Sequence, residues 1–213
     1  MSDQDEMSDQ VEMTNPIEQS VGGLSGHLLR RGIHLGMSFI PVLFFEFGEN
    51  TADAVNLSLP QLVSLVILVA IIGEALRLKF GVTIIGQRAY EAKQVSALAW
   101  GAIAIGMVLL LTPNKAYAYP LILSLSLGDP LLGEMRRKDF SVSAVMWAGA
   151  LGIALIWASC ALWVGTPWLL VALMGPMCVA AEWPRLRYID DNATMLLIPL
   201  AVVLILEPFL GVM

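Results

Sequence analysis

Charge is what this sequence has least of. Asp, Glu, Lys and Arg make up 14% of its 213 residues, against about 25% in a typical soluble domain. Hydrophobic residues reach 57% and the mean hydropathy is +0.74, which excludes an ordinary water-soluble domain and leaves no basic surface for nucleic acid. Cysteine is nearly absent too. Cys160 and Cys178 both lie in apolar stretches, so they form neither a disulfide framework nor a metal-ligand pattern and are read as packing residues. No G-x-x-x-x-G-K-[ST] occurs, which removes a P-loop mechanism. The N-terminus lacks a basic start followed directly by an apolar core and is not read as a signal peptide.

What is present is a series of apolar runs, at about 32–47, 60–78, 95–111, 116–133, 142–164, 166–182 and 194–212. A spanning helix needs roughly 17–25 such residues. Several runs are at the short end, so tilt or flanking polar residues must extend them. The cations test this count, because Lys and Arg concentrate in short cytoplasmic loops. With the N-terminus inside, Arg30, Arg31, Arg77, Lys79, Arg88, Lys93, Arg136, Arg137, Lys138, Arg185 and Arg187 all fall on the cytoplasmic side, and Lys115 alone falls outside. The expected fold is therefore an all-α polytopic transmembrane bundle of about seven spans, N-terminus cytoplasmic and C-terminus outside.

The net charge of -6 comes mostly from Asp3, Asp5, Glu6, Asp9, Glu12 and Glu18, with no Lys or Arg before Arg30. The imperfect repeat "SDQDEM", "SDQVEM" is too polar to bury anything. Residues 1–26 are expected to form a disordered acidic cytoplasmic tail, and residues 27–213 a single transmembrane catalytic domain.

Polar residues gather at the cytoplasmic ends of the helices. In "HLLRRGIH", His27, Arg30, Arg31 and His34 share roughly one helical face, which suits either an anionic head group or phosphate, or interfacial anchoring. Glu74 closes the second run with Arg77 three residues on, a spacing that allows pairing; it is either an ion pair ending a helix or an acid oriented within a polar site. Arg88 and Glu91 repeat that spacing ahead of the third run. Gly128-Asp129-Pro130 interrupts "YPLILSLSLG", and irregular backbone at membrane depth is tolerated only where protein or water satisfies it. An acid there is a functional candidate. Arg136, Arg137 and Lys138 come next, able to attract a polyphosphate or to anchor. Last come Glu182, and Asp190-Asp191-Asn192 before the seventh run. Capping accounts for one of these three, and two adjacent acids exceed what a cap needs.

In order, these clusters resemble the membrane prenol kinases, the family that includes dolichol kinase, phytol kinase and farnesol kinase. The matching elements are Arg30-Arg31 with His34, Glu74 with Arg77, Arg88 with Glu91, Gly128-Asp129 with Gly133, and Glu182 with Asp190-Asp191-Asn192. The resemblance implies transfer of phosphate from a nucleoside triphosphate, usually CTP, to the hydroxyl of an isoprenoid alcohol at the cytoplasmic face. Relatives carry a Lys-Ser or Lys-Thr element and then Glu-Gly after the Gly-Asp stretch. Here Gly133, Lys138 and Ser141 or Ser143 stand without a subsequent Glu-Gly.

Phosphoryl transfer needs electrostatic clamping and alignment more than covalent chemistry. Asp129 is expected to be the principal Mg2+ ligand, since Mg2+ takes one or two carboxylates plus substrate oxygens. Asp190 or Asp191 is expected as a second ligand or as base, with Asp191 the favoured ligand. Arg77, Arg88, Arg136 and Arg137 would clamp phosphates, helped by Lys138, His34, Asn192 and the Gly128 turn. Glu74 and Glu91 would orient arginines or share the metal. A membrane cytidylyltransferase joining CTP to a lipid phosphate needs the same parts. A transporter, or a membrane protein without catalysis, is a third class. Small-residue pairs such as Ala102 with Gly106 and Ala148 with Gly152 permit close helix packing, within the chain or in a homo-oligomer.

Overall fold

The computed structural model describes residues 20–183, 186 and 188–210. Most of the expected tail, residues 1–19, and Arg185 and Arg187 of the last basic group lie outside the described residues. Among the described residues every regular element is helical and no strand forms, a lone antiparallel bridge joining Ser20 to Arg88.

The first apolar run yields two helices, α1 (Gly23–Met37) and α2 (Ile40–Ala54), bent by 55°. Pro41 in the first turn of α2 has no N–H to give one turn back, and the Ser38 hydroxyl donates to the Leu35 carbonyl at 2.6 Å. Both favour a kink at that point. Next comes α3 (Leu59–Phe80), opened by a Ser58/Gln61 capping box and closed by Gly81 at φ 64°. A segment with a short 3-10 turn (Ala89–Lys93) leads to α4 (Ala97–Leu111), capped by Ser96. After it come α5 (Lys115–Leu123), a π turn (Ser124–Gly128), α6 (Asp129–Arg137), α7 (Val142–Trp163), α8 (Trp168–Glu182) and α9 (Asp191–Leu210).

Among the described residues three helices, α3, α7 and α9, are long and apolar enough to cross a membrane, and α1 with α2 would add a fourth span if the bent pair is one. Each of the seven apolar runs is mostly helical over its described residues, but α4 and α8 have 15 residues each. At 1.5 Å per residue they reach about 22 Å, short of a hydrocarbon core of roughly 30 Å.

The break expected at Gly128-Asp129-Pro130 is a wide turn instead. Gly128 and Asp129 keep helical backbone angles, and the chain passes from α5 through the π turn into α6 without leaving the helix. Pro130 lacks an N–H for the preceding turn, and one extra residue in the π turn accommodates that mismatch. This element is the centre of the molecule. Tyr117, Leu121, Ile122, Leu125 and Leu132 are fully buried along it, against Ile153 and Trp157 of α7 and Leu196 of α9. The Trp157 indole donates to the Ser124 hydroxyl at 2.8 Å, and that hydroxyl donates to the Pro120 carbonyl at 2.7 Å.

Within a bilayer, helices associate by close packing more than by expelling water, and glycines do that here. A Cβ on Gly106 would lie 2.5 Å from the Ile67 side chain, one on Gly152 2.7 Å from Leu131, and one on Gly175 2.5 Å from the Ala150 carbonyl oxygen. Both small-residue pairs noted in the sequence thus use their glycines on neighbours in the same chain.

Candidate functional site

The polar clusters converge at one end of the bundle. Asp129 is the first residue of α6, Glu182 the last of α8 and Asp191 the first of α9, and one carboxylate oxygen from each lies within 4.8 Å of the other two. The Glu182 side chain is 1% exposed and that of Asp129 24%. Glu182 accepts a hydrogen bond from Arg136 through Oε1, whereas its Oε2 and Oδ1 of Asp191 are buried without a hydrogen-bond partner among the described residues. Buried carboxylate oxygens left unpaired are costly. Three carboxylates from three helices form a donor set that fits a hard divalent cation, which binds carboxylate oxygens.

His34 of α1 faces this group. Its Nδ1 lies 3.3 Å from Oδ2 of Asp129, out of hydrogen-bonding alignment, and the ring is buried. Together with His27, Arg30, Arg31, Arg88 and Arg136, it lines an open cleft of about 630 Å³ over the carboxylates. Each arginine there already has a neighbour. Arg30 pairs with Glu91 at 3.1 Å, Arg31 with Glu134 at 3.3 Å, Arg136 with Glu182, and Arg88 bonds the Tyr90 hydroxyl at 2.5 Å. Arg31 also donates to the Pro130 carbonyl, tying α1 to the start of α6.

The expected site residues divide. Asp129, Asp191, His34, Arg88 and Arg136 border the cleft, and Gly128 lies beneath it, where a Cβ would meet Met195 at 2.8 Å. Asp190 does not join the triad; its carboxylate caps α9 by accepting from the Asn192 N–H at 3.1 Å. Desolvation, and then the charge of Asp191, push the Asp190 carboxyl well above the usual carboxylate range. Asn192 is buried and donates to the Ala97 carbonyl at 3.2 Å, fastening α9 to α4. Arg137 pairs outward with Glu134 and Lys138 is exposed at the end of α6.

Glu74, Arg77 and Glu91 serve the segment between α3 and α4. Arg77 donates to Glu74 and to the carbonyls of Val82 and Gln94, while Glu74 accepts from the N–H and hydroxyl of Ser96. Both ends of the segment are thereby held. Glu91, 1% exposed, accepts from Arg30, from the Arg88 N–H and from the Ala97 N–H. It holds Arg30 by that bond from outside the triad.

Glu182 is the member of this carboxylate triad that the sequence placed only in a cluster. Its signal is an acid toward the end of an apolar run, which Glu74 shares. Residues 20–26, assigned to the tail, also belong to the fold. Val21 N–H donates to the Gln87 carbonyl and Gly86 N–H to the Val21 carbonyl, at 2.8 and 2.9 Å. A Cβ on Gly26 would sit 2.1 Å from the Val21 oxygen. In "VGGLSG" Gly26 marks close backbone approach and Gly22 and Gly23 take φ of 90° and 58°, where composition alone reads as linker.

Beside the polar cleft runs an apolar groove of about 510 Å³ between α1, residues 84–87 and the start of α4. The two share Arg30, His34 and Gly86. No family model, curated protein or solved structure matches this chain.

Proposed function

We propose that the chain is a multi-pass membrane phosphotransferase that moves a phosphate from a nucleoside triphosphate, CTP in the first instance, to the hydroxyl of an isoprenoid alcohol. The observation that carries this reading is the triad Asp129, Glu182 and Asp191, two of whose buried oxygens lack a partner among the described residues, under a cleft walled by Arg30, Arg31, Arg88 and Arg136. Anion-binding cations opposite a metal-binding carboxylate set are the two halves that phosphoryl transfer requires. The resemblance of the sequence clusters to the prenol kinases supports the alcohol acceptor.

Asp129, Glu182 and Asp191 would hold Mg2+, which when bound neutralises phosphate oxygens. Arg88 and Arg136 flank the carboxylates and bind the donor's phosphates from either side. Arg30 and Arg31, braced by Glu91 and Glu134, extend that cationic wall along α1. His34 stands where the cleft meets the apolar groove and orients the acceptor hydroxyl. The hydroxyl oxygen forms a bond to the terminal phosphorus, the bond to the nucleoside diphosphate breaks, and the hydroxyl proton passes to His34.

In this reading seven spans cross the membrane with the N-terminus cytoplasmic, the cleft opens to the cytoplasm, and α4 and α8 are completed by the polar residues at their ends. The distribution of Lys and Arg supports that orientation.

The test is incubation of the purified full chain with Mg2+, labelled CTP or ATP, and alcohols of several lengths. Labelled lipid phosphate with release of nucleoside diphosphate is expected, and lost in Asp129→Ala. Release of pyrophosphate from a lipid phosphate acceptor would replace this reading with nucleotidyl transfer. Absence of lipid product under every combination would sink it.

A further inference from the structure

We infer that the apolar groove seats the hydrocarbon chain of a single-chain lipid alcohol, and that Met37 at its far end sets how long a chain fits. The inference rests on the reading of the adjoining cleft as a phosphoryl-transfer site and adds to it where the acceptor lies.

The groove is lined by Leu29, Ile33, Met37, Ile84, Ile85 and Leu98. The groove is open along one side and apolar along its length, as a seat for a hydrocarbon chain must be. Continuity with the cleft selects the occupant. Because Arg30, His34 and Gly86 border both spaces, a molecule filling the groove brings its end to His34 and thus to the edge of the carboxylate triad. A polar head joined to one hydrocarbon chain matches that change of lining, whereas an apolar partner helix would cover the groove and leave the cleft unused.

The outer edge suits sideways entry. Leu29, Ile84, Ile85 and Leu98 are 46%, 50%, 57% and 44% exposed, in a chain whose helices carry apolar surface for a bilayer. A lipid can slide in among them without taking its chain through water.

The inner end is built differently. Met37, one turn beyond His34 on α1, is 7% exposed, and its terminal methyl lies 3.5 Å from where a Cβ of Gly101 would stand. Gly101 thus faces the methyl across ordinary van der Waals distance. An unbranched thioether with three rotatable bonds is an adjustable wall, and its size limits the chain beyond it.

The experiment uses the full chain in phosphatidylcholine nanodiscs with straight-chain alcohols bearing a diazirine at successive positions from the hydroxyl. Photolysis without nucleotide and peptide mapping should place adducts near Ile85 and Ile33 for proximal diazirines and near Met37 and Leu98 for distal ones. Excess unlabelled alcohol should suppress them. Met37→Trp should weaken capture of the longer alcohols by about ten-fold or more, the scale of losing two buried methylenes, while short ones are unchanged. Ile85→Gln, at the exposed rim, should weaken all lengths and guards against a misfolded Met37 variant. Adducts confined to the lipid-facing sides of α3 and α7, or variants that leave the length profile flat, would overturn the proposal. Because capture is read without turnover, lipid phosphate formation with adducts elsewhere would reject the groove alone, and groove adducts without any transfer would reject the phosphoryl-transfer reading alone.

Discussion

Arg77 grips Glu74 with two hydrogen bonds, from Nε at 2.9 Å and Nη2 at 2.7 Å, and turns its remaining donors to the carbonyls of Val82 and Gln94. The pair is a brace for the segment that supplies Arg88 to the cleft and Ile84 and Ile85 to the groove. Its side chains are 5% and 11% exposed, and removing one partner of a buried pair costs about 3–5 kcal/mol. Arg77→Met should therefore lower the unfolding midpoint in detergent and open residues 82–94 to proteolysis. A variant that keeps wild-type stability while losing only turnover would return these residues to the catalytic role first expected of them.

The triad makes a sharp distinction between two adjacent acids. Asp190→Asn should retain divalent-cation binding, because asparagine caps a helix about as well as aspartate. Asp191→Asn and Glu182→Gln should each weaken it by at least the roughly 10–100-fold seen for disturbing residues that merely support a metal ligand. Mn2+ titration followed by electron paramagnetic resonance reads this directly. Equal losses at positions 190 and 191 would mean that the two carboxylates act as one ligand.

Ser124 offers a test of the π turn. Ser124→Ala removes the acceptor of the Trp157 indole N–H, which is fully buried, and an unsatisfied buried donor costs about 1–3 kcal/mol. Unfolding in detergent should show that loss. No change would mean that the indole finds another acceptor.

Packing across α7 and α8 should tolerate nothing at Gly175. An alanine there points its Cβ at 2.5 Å from the Ala150 carbonyl oxygen, which is backbone and cannot swing away, and overpacking costs roughly 1–3 kcal/mol. Gly36→Ala is the control, since nothing lies within 4 Å of its Cβ. Thermal unfolding of both should separate them clearly.

Orientation can be read by labelling. Cys160 and Cys178 are buried and leave the wild-type chain a quiet background. In intact cells Glu49→Cys should react with an impermeant maleimide, and Lys138→Cys only after permeabilisation. The reverse pattern would invert the proposed topology.

The features behind these expectations differ in how far the sequence reveals them. Helix positions follow from the apolar runs, and the end of the bundle that carries the site follows from where polar residues interrupt them. The kink before Pro41 and the π turn before Pro130 depend on how one missing N–H is absorbed, and the same residue can produce either outcome. Glu74 and Glu182 show the deeper limit. Each lies toward the end of an apolar run near an arginine, yet one accepts from Ser96 and Arg77 through both oxygens, whereas Oε2 of the other has no partner among the described residues and stands beside Asp129 and Asp191. Only the meeting of distant helices separates a brace from a member of the triad.

The π turn also sets the direction in which α6 presents its first side chain. One residue more or fewer in a helix rotates everything downstream by about 100° around the axis. Asp129 directly succeeds the five residues Ser124–Gly128, so deletion of a single residue there would leave the composition of the segment almost unchanged and carry the carboxylate away from Glu182 and Asp191. In this molecule the bearing of the acid is a matter of counting, and an alignment that slipped by one position at the leucines would lose the site while preserving every apolar run.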